Sequence, residues 1–310
     1  SSMPSENAVP LCEAPRGRPL RLNGIQGGAR LNRRLVELGL TPGVRLRVLL
    51  DRTSLEIFGN DGLVALPLDL HVLASSRDLV SIFVALELLS IPAYMLAAWN
   101  KRNPKGNEAG VKYYLMGVFA SAILLYGLSL AYGLGGSTQL TEVGLNIARM
   151  GTDGVPVVTL ALLFVIIGFG FKVSAVPFHM WAPDTYEGAP TPVTAFLAVA
   201  SKAAGFVALL VVLYSAFPDA AGVWGPAVWI LAALSMTLAN LTALRQTNIV
   251  RLLAYSSVAQ IGYILLGASM VSLTGLTASL MHMFNHALAK GGLFLAVMCL
   301  LVFALGIPSG

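Results

Sequence analysis

The chain has 310 residues, of which 56% are hydrophobic and only 11% charged, with 20 Lys/Arg against 15 Asp/Glu. A soluble domain carries about 25% charged residues, so the length, which alone would suit about two soluble domains, does not describe one here. The net charge of +5 is scattered, with no basic run longer than Arg33-Arg34, which points away from nucleic acid. Charge is also unevenly placed: residues 1–75 hold nine Arg and seven Asp/Glu, while all six lysines fall in 76–310. The chain therefore reads as two parts, 1–75 and 76–310. Cys12 and Cys299 sit in different parts and offer neither a disulfide framework nor a metal site.

Residues 1–75 open with a polar, Pro-rich stretch, Ser1 to Arg18, that lacks the charged-then-apolar order of a signal peptide. Membrane insertion is then expected to rest on the later apolar segments. Leu31, Leu35 and Leu38 recur at helical spacing with Gly39 as a C-cap. VRLRVLL (44–50) alternates apolar Val44, Leu46 and Val48 with Arg45 and Arg47, the pattern of a half-buried strand. Asn60-Asp61-Gly62 between SLEIF and LVALPL is a hairpin signal. A helix followed by short strands suits a small β-barrel. The segment GIQGGARLNRRLVELGLTPGVRLRVL (24–49) resembles the FeoA family, small barrels of bacterial ferrous-iron transport, over about 10–74. The resemblance implies a cytoplasmic module that binds a protein partner rather than catalysing. Cys12, Glu13 and His71 have no ligand spacing, so no iron site is read here.

A bilayer core about 30 Å thick needs roughly 20 apolar residues in helix. Seven stretches qualify, at about 79–98, 112–133, 156–176, 191–217, 226–244, 249–271 and 274–305. Turn-forming or charged breaks separate them, among them Asn100 to Asn107, Gly135 to Gly154, Pro183 to Pro190, Pro218 to Gly225 and Arg245 to Asn248. The expected fold is mainly α, a polytopic membrane helix bundle of about seven spans, one of them broken, with the small N-terminal barrel. Lys101, Arg102 and Lys105 follow the first stretch and Arg245 and Arg251 the fifth, whereas the even-numbered breaks hold only Arg149. Cationic loops stay cytoplasmic, which puts loops one, three and five inside and the start of the first span outside. That sits badly with a cytoplasmic N-terminal module: either the module is exported, or the topology shifts, or the chain joins pieces of two genes, the last being the favoured expectation.

The informative residues are those a span should not contain: Glu87 in FVALELLSIP, Lys172 in GFGFKVSAVPFH, Lys202 in LAVASKAAGFV and Lys290 in FNHALAKGGLFLA. Each costs roughly 2.5–3.5 kcal/mol at a helix centre. A lysine near a helix end escapes that cost by reaching the headgroups. This suits Lys112 as well as a buried role does, and suits Lys202 poorly, with apolar or small residues on both sides. Gly168, Gly170 and Pro177 interrupt the third stretch around Lys172. Non-helical backbone at membrane depth survives only where protein or a hydrated cavity covers it, and broken helices with ionisable groups mark transporters. An ordinary helix ending at Pro177 would explain the prolines equally well; Lys172 inside the break tips the reading toward a functional site.

The stretch KVSAVPFHMWAPDTYEGAPTPVTAFLAVASKAAGF (172–206) resembles the subunit N family of proton-pumping NADH:quinone oxidoreductases, respiratory complex I. VALELLSIPAYML (84–96), EAGVKYYLMGVFASAILLYG (108–127) and LRQTNIVRLLAYSSVAQIGYILLG (244–267) extend the likeness over about 76–272. The resemblance implies that Glu87 pairs with Lys172 on the broken helix and that Lys202 lies on a central hydrated path. It also places Lys112 and His179 at further polar positions. Burial disfavours a charged lysine and a nearby carboxylate favours it, so a Glu87–Lys172 pair that forms and separates could load and release a proton at Lys202. The family fold has fourteen helices in two inverted five-helix repeats, and this chain holds the equivalents of the fifth to eleventh. The tail MHMFNHALAKGGLFLA (281–296) looks more like the larger antiporter-like subunits, which adds His286 and Lys290 to the candidates; for either histidine alone, a packing role is the simpler account.

The leading expectation is a multi-pass, proton-translocating subunit in a bacterial inner membrane, partnered by lipid and by other complex I membrane subunits. The chain shows no Cys-rich iron–sulfur pattern, no GxGxxG after a strand and no haem motif. It is therefore expected to hold no cofactor and to catalyse nothing itself, leaving NADH, flavin, iron–sulfur clusters and quinone to partner subunits. A sodium/proton antiporter subunit is the first alternative, and an iron-transport accessory protein fused to a degenerate membrane fragment the second.

Overall fold

The computed structural model describes residues 19–21, 45–51, 54–59, 62–64, 66–151 and 154–300. The chain divides into two units, residues 1–69 and 70–310. In the first, β1 (Pro19–Arg21), β2 (Arg45–Asp51), β3 (Ser54–Gly59) and β4 (Gly62–Val64) form an antiparallel sheet in sequential order. The strand expected at 44–50 forms one residue later. In the ladder Val48 is paired with Ile57 and Ile57 with Val64. Gly59 pairs with Gly62, and Asn60-Asp61 of the hairpin signal lie outside the described residues. The described residues thus show a four-stranded meander. The helix expected around Leu31–Leu38, and Cys12 and Glu13, lie outside them.

In the second unit the helices follow the apolar stretches closely. After α1 (Leu66–Ser75) come α2 (Leu79–Ala97), α3 (Pro104–Gly135), α4 (Leu140–Arg149) and α5 (Val155–Val173). They are followed by α6 (Trp181–Gly188), α7 (Thr191–Ala198), α8 (Ala200–Ala216), α9 (Ala221–Ala243), α10 (Ile249–Ser269) and α11 (Leu273–Cys299). Local chemistry sets several of the ends. The Asp78 carboxylate accepts from the Val80 and Ser81 amides and starts α2. Asn103 caps α3 with Pro104 in its first turn, and Gly136 ends it in the left-handed region, φ +63°. Asn248 caps α10 through the Val250 and Arg251 amides.

Among the described residues six helical segments are long and apolar enough to cross a membrane: α2, α3, α5, α7 with α8, α9 with the 3-10 turn before it, and α10. This is a multi-pass membrane bundle, and its outward side chains agree: Leu115, Phe119, Leu241 and Phe284 are all at least 60% exposed. The seventh expected stretch, 274–305, falls on α11, whose 27 residues carry His282, Asn285, His286 and Lys290; α11 is not among these six segments, and residues 301–305 lie outside the described residues. Three further boundaries differ. The span expected from 112 begins at Pro104, because Asn103-Pro104 is a helix start. The break at 135–154 contains α4, which buries Leu140 and Val143 and exposes its polar face. The stretch 191–217 is two helices, interrupted at Val199.

The interior that holds these helices is aromatic where they converge on α6. Tyr113 stacks on Trp181 with ring centres 4.4 Å apart, Tyr94 meets Tyr113 edge-on at 4.6 Å, and Phe171 lies 5.4 Å from Trp181. The Trp181 indole donates at 3.0 Å to the Phe171 carbonyl, which also accepts from the Ser174 amide, and so fastens α6 to the end of α5. The loop charges also fall as the orientation argument requires. The ends of loops one, three and five meet at one end of the bundle, where Lys105 reaches Glu187 and Arg251 reaches Asp184.

Candidate functional site

Lys172 lies in the last turn of α5, where the helix stops at Ser174 in the left-handed region (φ +64°). It is 3% exposed, and its Nζ donates to Ser90 Oγ at 2.9 Å. Ser90 in turn donates to the Leu86 carbonyl at 2.6 Å, so its hydroxyl is spent on one donor and one acceptor role. Glu87, three residues earlier on the same face of α2, accepts from Ser121 Oγ on α3 at 2.5 Å. Glu87 and Lys172 are not joined directly: no ion pair links them, and each ends on its own serine. The expected pair is thus a four-residue arrangement in which each charged group bonds its own serine.

Lys202 follows the interruption at Val199 and is fully buried. Its Nζ has no hydrogen-bond partner and stands 5.5 Å from the centre of the Tyr186 ring, within cation–π reach. One turn on, Gly205 leaves room for Lys172: a Cβ there would lie 2.8 Å from Lys172 Cγ. The stem of Lys172 thus packs against the helix that carries Lys202.

His286 and Lys290 share the inner face of α11, 5% and 2% exposed. Lys290 Nζ donates to the Leu253 carbonyl at 3.1 Å and Ser256 Oγ at 3.0 Å, while His286 Nε2 has no partner. A half-open cavity of about 170 Å³ lies beside them, lined by Ser256, Gln260, His282, Asn285, His286 and Lys290. His179, in the segment between α5 and α6, is half-buried, with Nδ1 unpartnered and its ring 6.3 Å from Tyr255.

Lys112 lies elsewhere. It is 45% exposed and forms ion pairs of 2.7 Å with Glu108 and Asp184. It belongs to a cluster at the charged end of the bundle, with Lys105–Glu187 at 2.7 Å, Arg251–Asp184 at 2.7 Å and Arg251–Glu187 at 3.0 Å. The short α6 that carries both acids lies outside the candidate spans. Burial works against the Asp184 carboxylate, but the hydrogen bonds from Lys112 and Arg251 outweigh it and hold its pKa below the ordinary 3.8. Lys105 does most to hold Glu187 below 4.5; burial opposes this and Arg251 adds to it.

Among the described residues the buried polar atoms without a partner are Ser174 Oγ, His179 Nδ1, Thr185 Oγ1, Tyr186 Oη, Lys202 Nζ and His286 Nε2. Such atoms are rare in folded interiors and are usually met by ordered water. All six lie at the break after α5, on α6, or on the helices facing them. Ser90, Ser121, Tyr186 and Arg251 were missed as sequence candidates. A serine three residues from a buried glutamate was the one available signal; the others look like ordinary packing or rim residues until the helices are brought together. No group of three His, Cys, Asp or Glu side chains among the described residues is placed to hold a metal ion.

Residues 76–302 match the profile of the family described as NADH:quinone oxidoreductase/Mrp antiporter, TM, and residues 9–69 match the FeoA domain. NADH-quinone oxidoreductase subunit N of Moorella thermoacetica is 50% identical over 76% of this chain and 49% of its own length. The chain spans about half the length of the curated relatives it matches. A chain of respiratory complex I from Thermus thermophilus superposes with a TM-score of 0.63 at 42% identity, covering 75% of this chain and 49% of that one. A chain of the Mrp complex from Dietzia sp. gives a TM-score of 0.68 at 24% identity over 76% of this chain and 44% of its own, a likeness of fold.

Proposed function

We propose that this chain, which belongs to the NADH:quinone oxidoreductase/Mrp antiporter transmembrane family, carries protons through its buried lysines as a membrane subunit of a bacterial NADH:quinone oxidoreductase. The observation that carries the reading is the succession of Lys172, Lys202, His286 and Lys290, all at most 5% exposed, inside helices whose outer faces are apolar. A lipid-depth ammonium costs roughly 2.5–3.5 kcal/mol, and none of these lysines is ion-paired with a carboxylate. Groups held by serines, carbonyls and an aromatic face can change protonation without first breaking a strong ion pair.

The path begins at Lys172 and Ser90, with Glu87 and Ser121 beside them. It runs on to Lys202, on the helix whose Gly205 packs against the Lys172 side chain, then to His286 and Lys290, beside the half-open cavity between α10 and α11. Glu87 biases the charge of Lys172, and that charge sets whether Lys202 holds its proton. His179 flanks the path from the break. Lys112 acts at the end of the bundle rather than inside it. Redox chemistry belongs to partner subunits that carry NADH, flavin, iron–sulfur clusters and quinone; this chain contributes the proton route and holds no cofactor. Its partners are other membrane subunits of the same complex in the bacterial inner membrane. The N-terminal meander is part of a FeoA-like small barrel that binds a protein partner.

Lys202→Ala and Glu87→Ala, each in the assembled complex in membrane vesicles, should abolish NADH-driven proton translocation while the subunit stays in place. Normal pumping by both variants would remove the reading. Buried His286 and Lys290 also suit the sodium/proton antiporter alternative. Sodium efflux driven by a proton gradient, without NADH, would favour it.

A further inference from the structure

Most of α6 is buried: only Asp184 and Glu187, on its outer face, are partly exposed, and Tyr186 on the inner face turns to Lys202. Asp184 and Glu187, three residues apart, share the outer face. Arg251 at the start of α10 donates to both acids, while Lys112 and Lys105 from α3 take one each. The end of the same helix is seated on α3 without a side chain between them: any residue larger than glycine at 188 would collide with the Lys105 carbonyl and Ala109. On the inner face, Tyr186 is 1% exposed, packs edge-on against Trp181 and Phe294 at 6.2 and 5.9 Å, and turns its ring to Lys202. Its backbone carbonyl accepts from Thr194 Oγ1 at 3.2 Å.

An eight-residue helix is too short to hold itself. The proline-rich segments around it supply few backbone hydrogen bonds, so side-chain contacts from α3 and α10 must fix its angle. Lys202 Nζ has no hydrogen-bond partner, so the Tyr186 ring is the group that meets its charge. We propose that Arg251, with Asp184 and Glu187, is a positioning clasp that holds α6 so that Tyr186 faces the Lys202 ammonium. The clasp thereby couples the charged end of the bundle to the proton path. This rests on the reading that Lys202 carries protons. It adds that three residues which touch no proton in transit decide how well that lysine works.

The test uses the assembled complex in membrane vesicles, with protons moved per NADH oxidised as the readout and subunit content checked by immunoblot. Arg251→Gln should lower that ratio about fivefold, the size of change expected when a positioning contact is lost, and should speed amide exchange across 181–188. Arg251 Nη1 alone donates to both acids, so Arg251→Lys, which keeps a charged nitrogen on a shorter stem, should fall between. Tyr186→Leu should reproduce the loss with normal exchange in α6, and Tyr186→Phe, which keeps the ring, should pump normally. Should Arg251→Gln prevent assembly, the Tyr186 pair decides. Normal pumping by Tyr186→Leu, or by Arg251→Gln with unchanged exchange, overturns the proposal. A Lys202→Ala chain that pumps normally removes the proton-path reading beneath it, a failure distinct from that of the clasp.

Discussion

The cations at the rim of the bundle and those in its interior are held in opposite ways. Lys105, Lys112 and Arg251 at the charged end each face one or two carboxylates at 2.7–3.0 Å. Lys172, Lys202 and Lys290 inside face a serine, an aromatic ring, and a carbonyl with a serine. Ordinary stability reasoning would predict the reverse, since a buried charge needs a partner more than an exposed one does. On the proposed proton route the difference has a reason: rim pairs set geometry, and weak partnering leaves the charge of the interior lysines free to change.

The sharpest way to break that comparison is to give an interior lysine a rim-like partner. Ser90→Asp would place a carboxylate against Lys172 Nζ. A hydrogen bond to a charged group is worth about 1.5–3 kcal/mol, so the lysine should be trapped as an ion pair. Vesicle acidification should then fall by about tenfold or more; undiminished acidification would mean that weak partnering is not what matters. Ser90→Ala is the milder form. It strands Lys172 without its acceptor at a cost of about 1–3 kcal/mol, and slower pumping is expected with thermal stability reduced by a similar amount.

Acid separates the two regions next. The pKa values of Asp184 and Glu187 are held below their ordinary values of 3.8 and 4.5. Their contribution is therefore complete above those values and is lost as pH falls through the lowered ones. Amide exchange in α6 should stay slow at pH 5 and quicken only below about pH 4, the ordinary carboxylate range. Quickening at pH 6 would show that another group controls the clasp. The smallest effect belongs to Lys105→Ala: Lys105 is 69% exposed, surface pairs contribute at most about 1 kcal/mol, and thermal unfolding should barely move.

Much of the bundle was legible from hydropathy because lipid leaves few options: a segment that crosses must be apolar and helical. The starts and stops at Asp78, Asn103-Pro104, Gly136 and Asn248 follow from side chains within a few residues of the helix end. Features set by distant partners were not legible. The interruption at Val199 has no proline or glycine of its own, and α6 has too few residues to show periodicity. Lys112 was placed at a polar position by resemblance, with reach to the headgroups an equal account; in space it pairs with Glu108, one turn away, and with Asp184, 72 residues away.

The amino-acid order by itself determined that the second part enters a membrane, where its helices begin, and that Glu87, Lys172, Lys202 and Lys290 carry a cost that packing alone does not explain. Those are local matters of transfer free energy and capping, settled within a turn or two of chain. Tertiary structure alone decided which lysines are paired and which are not, that Glu87 and Lys172 each bond a serine, and that Tyr186 meets Lys202. The physical reason is reach: Coulomb and hydrogen-bond partners act over a few ångströms, and only the folded bundle brings residues 30 to 80 positions apart within that distance.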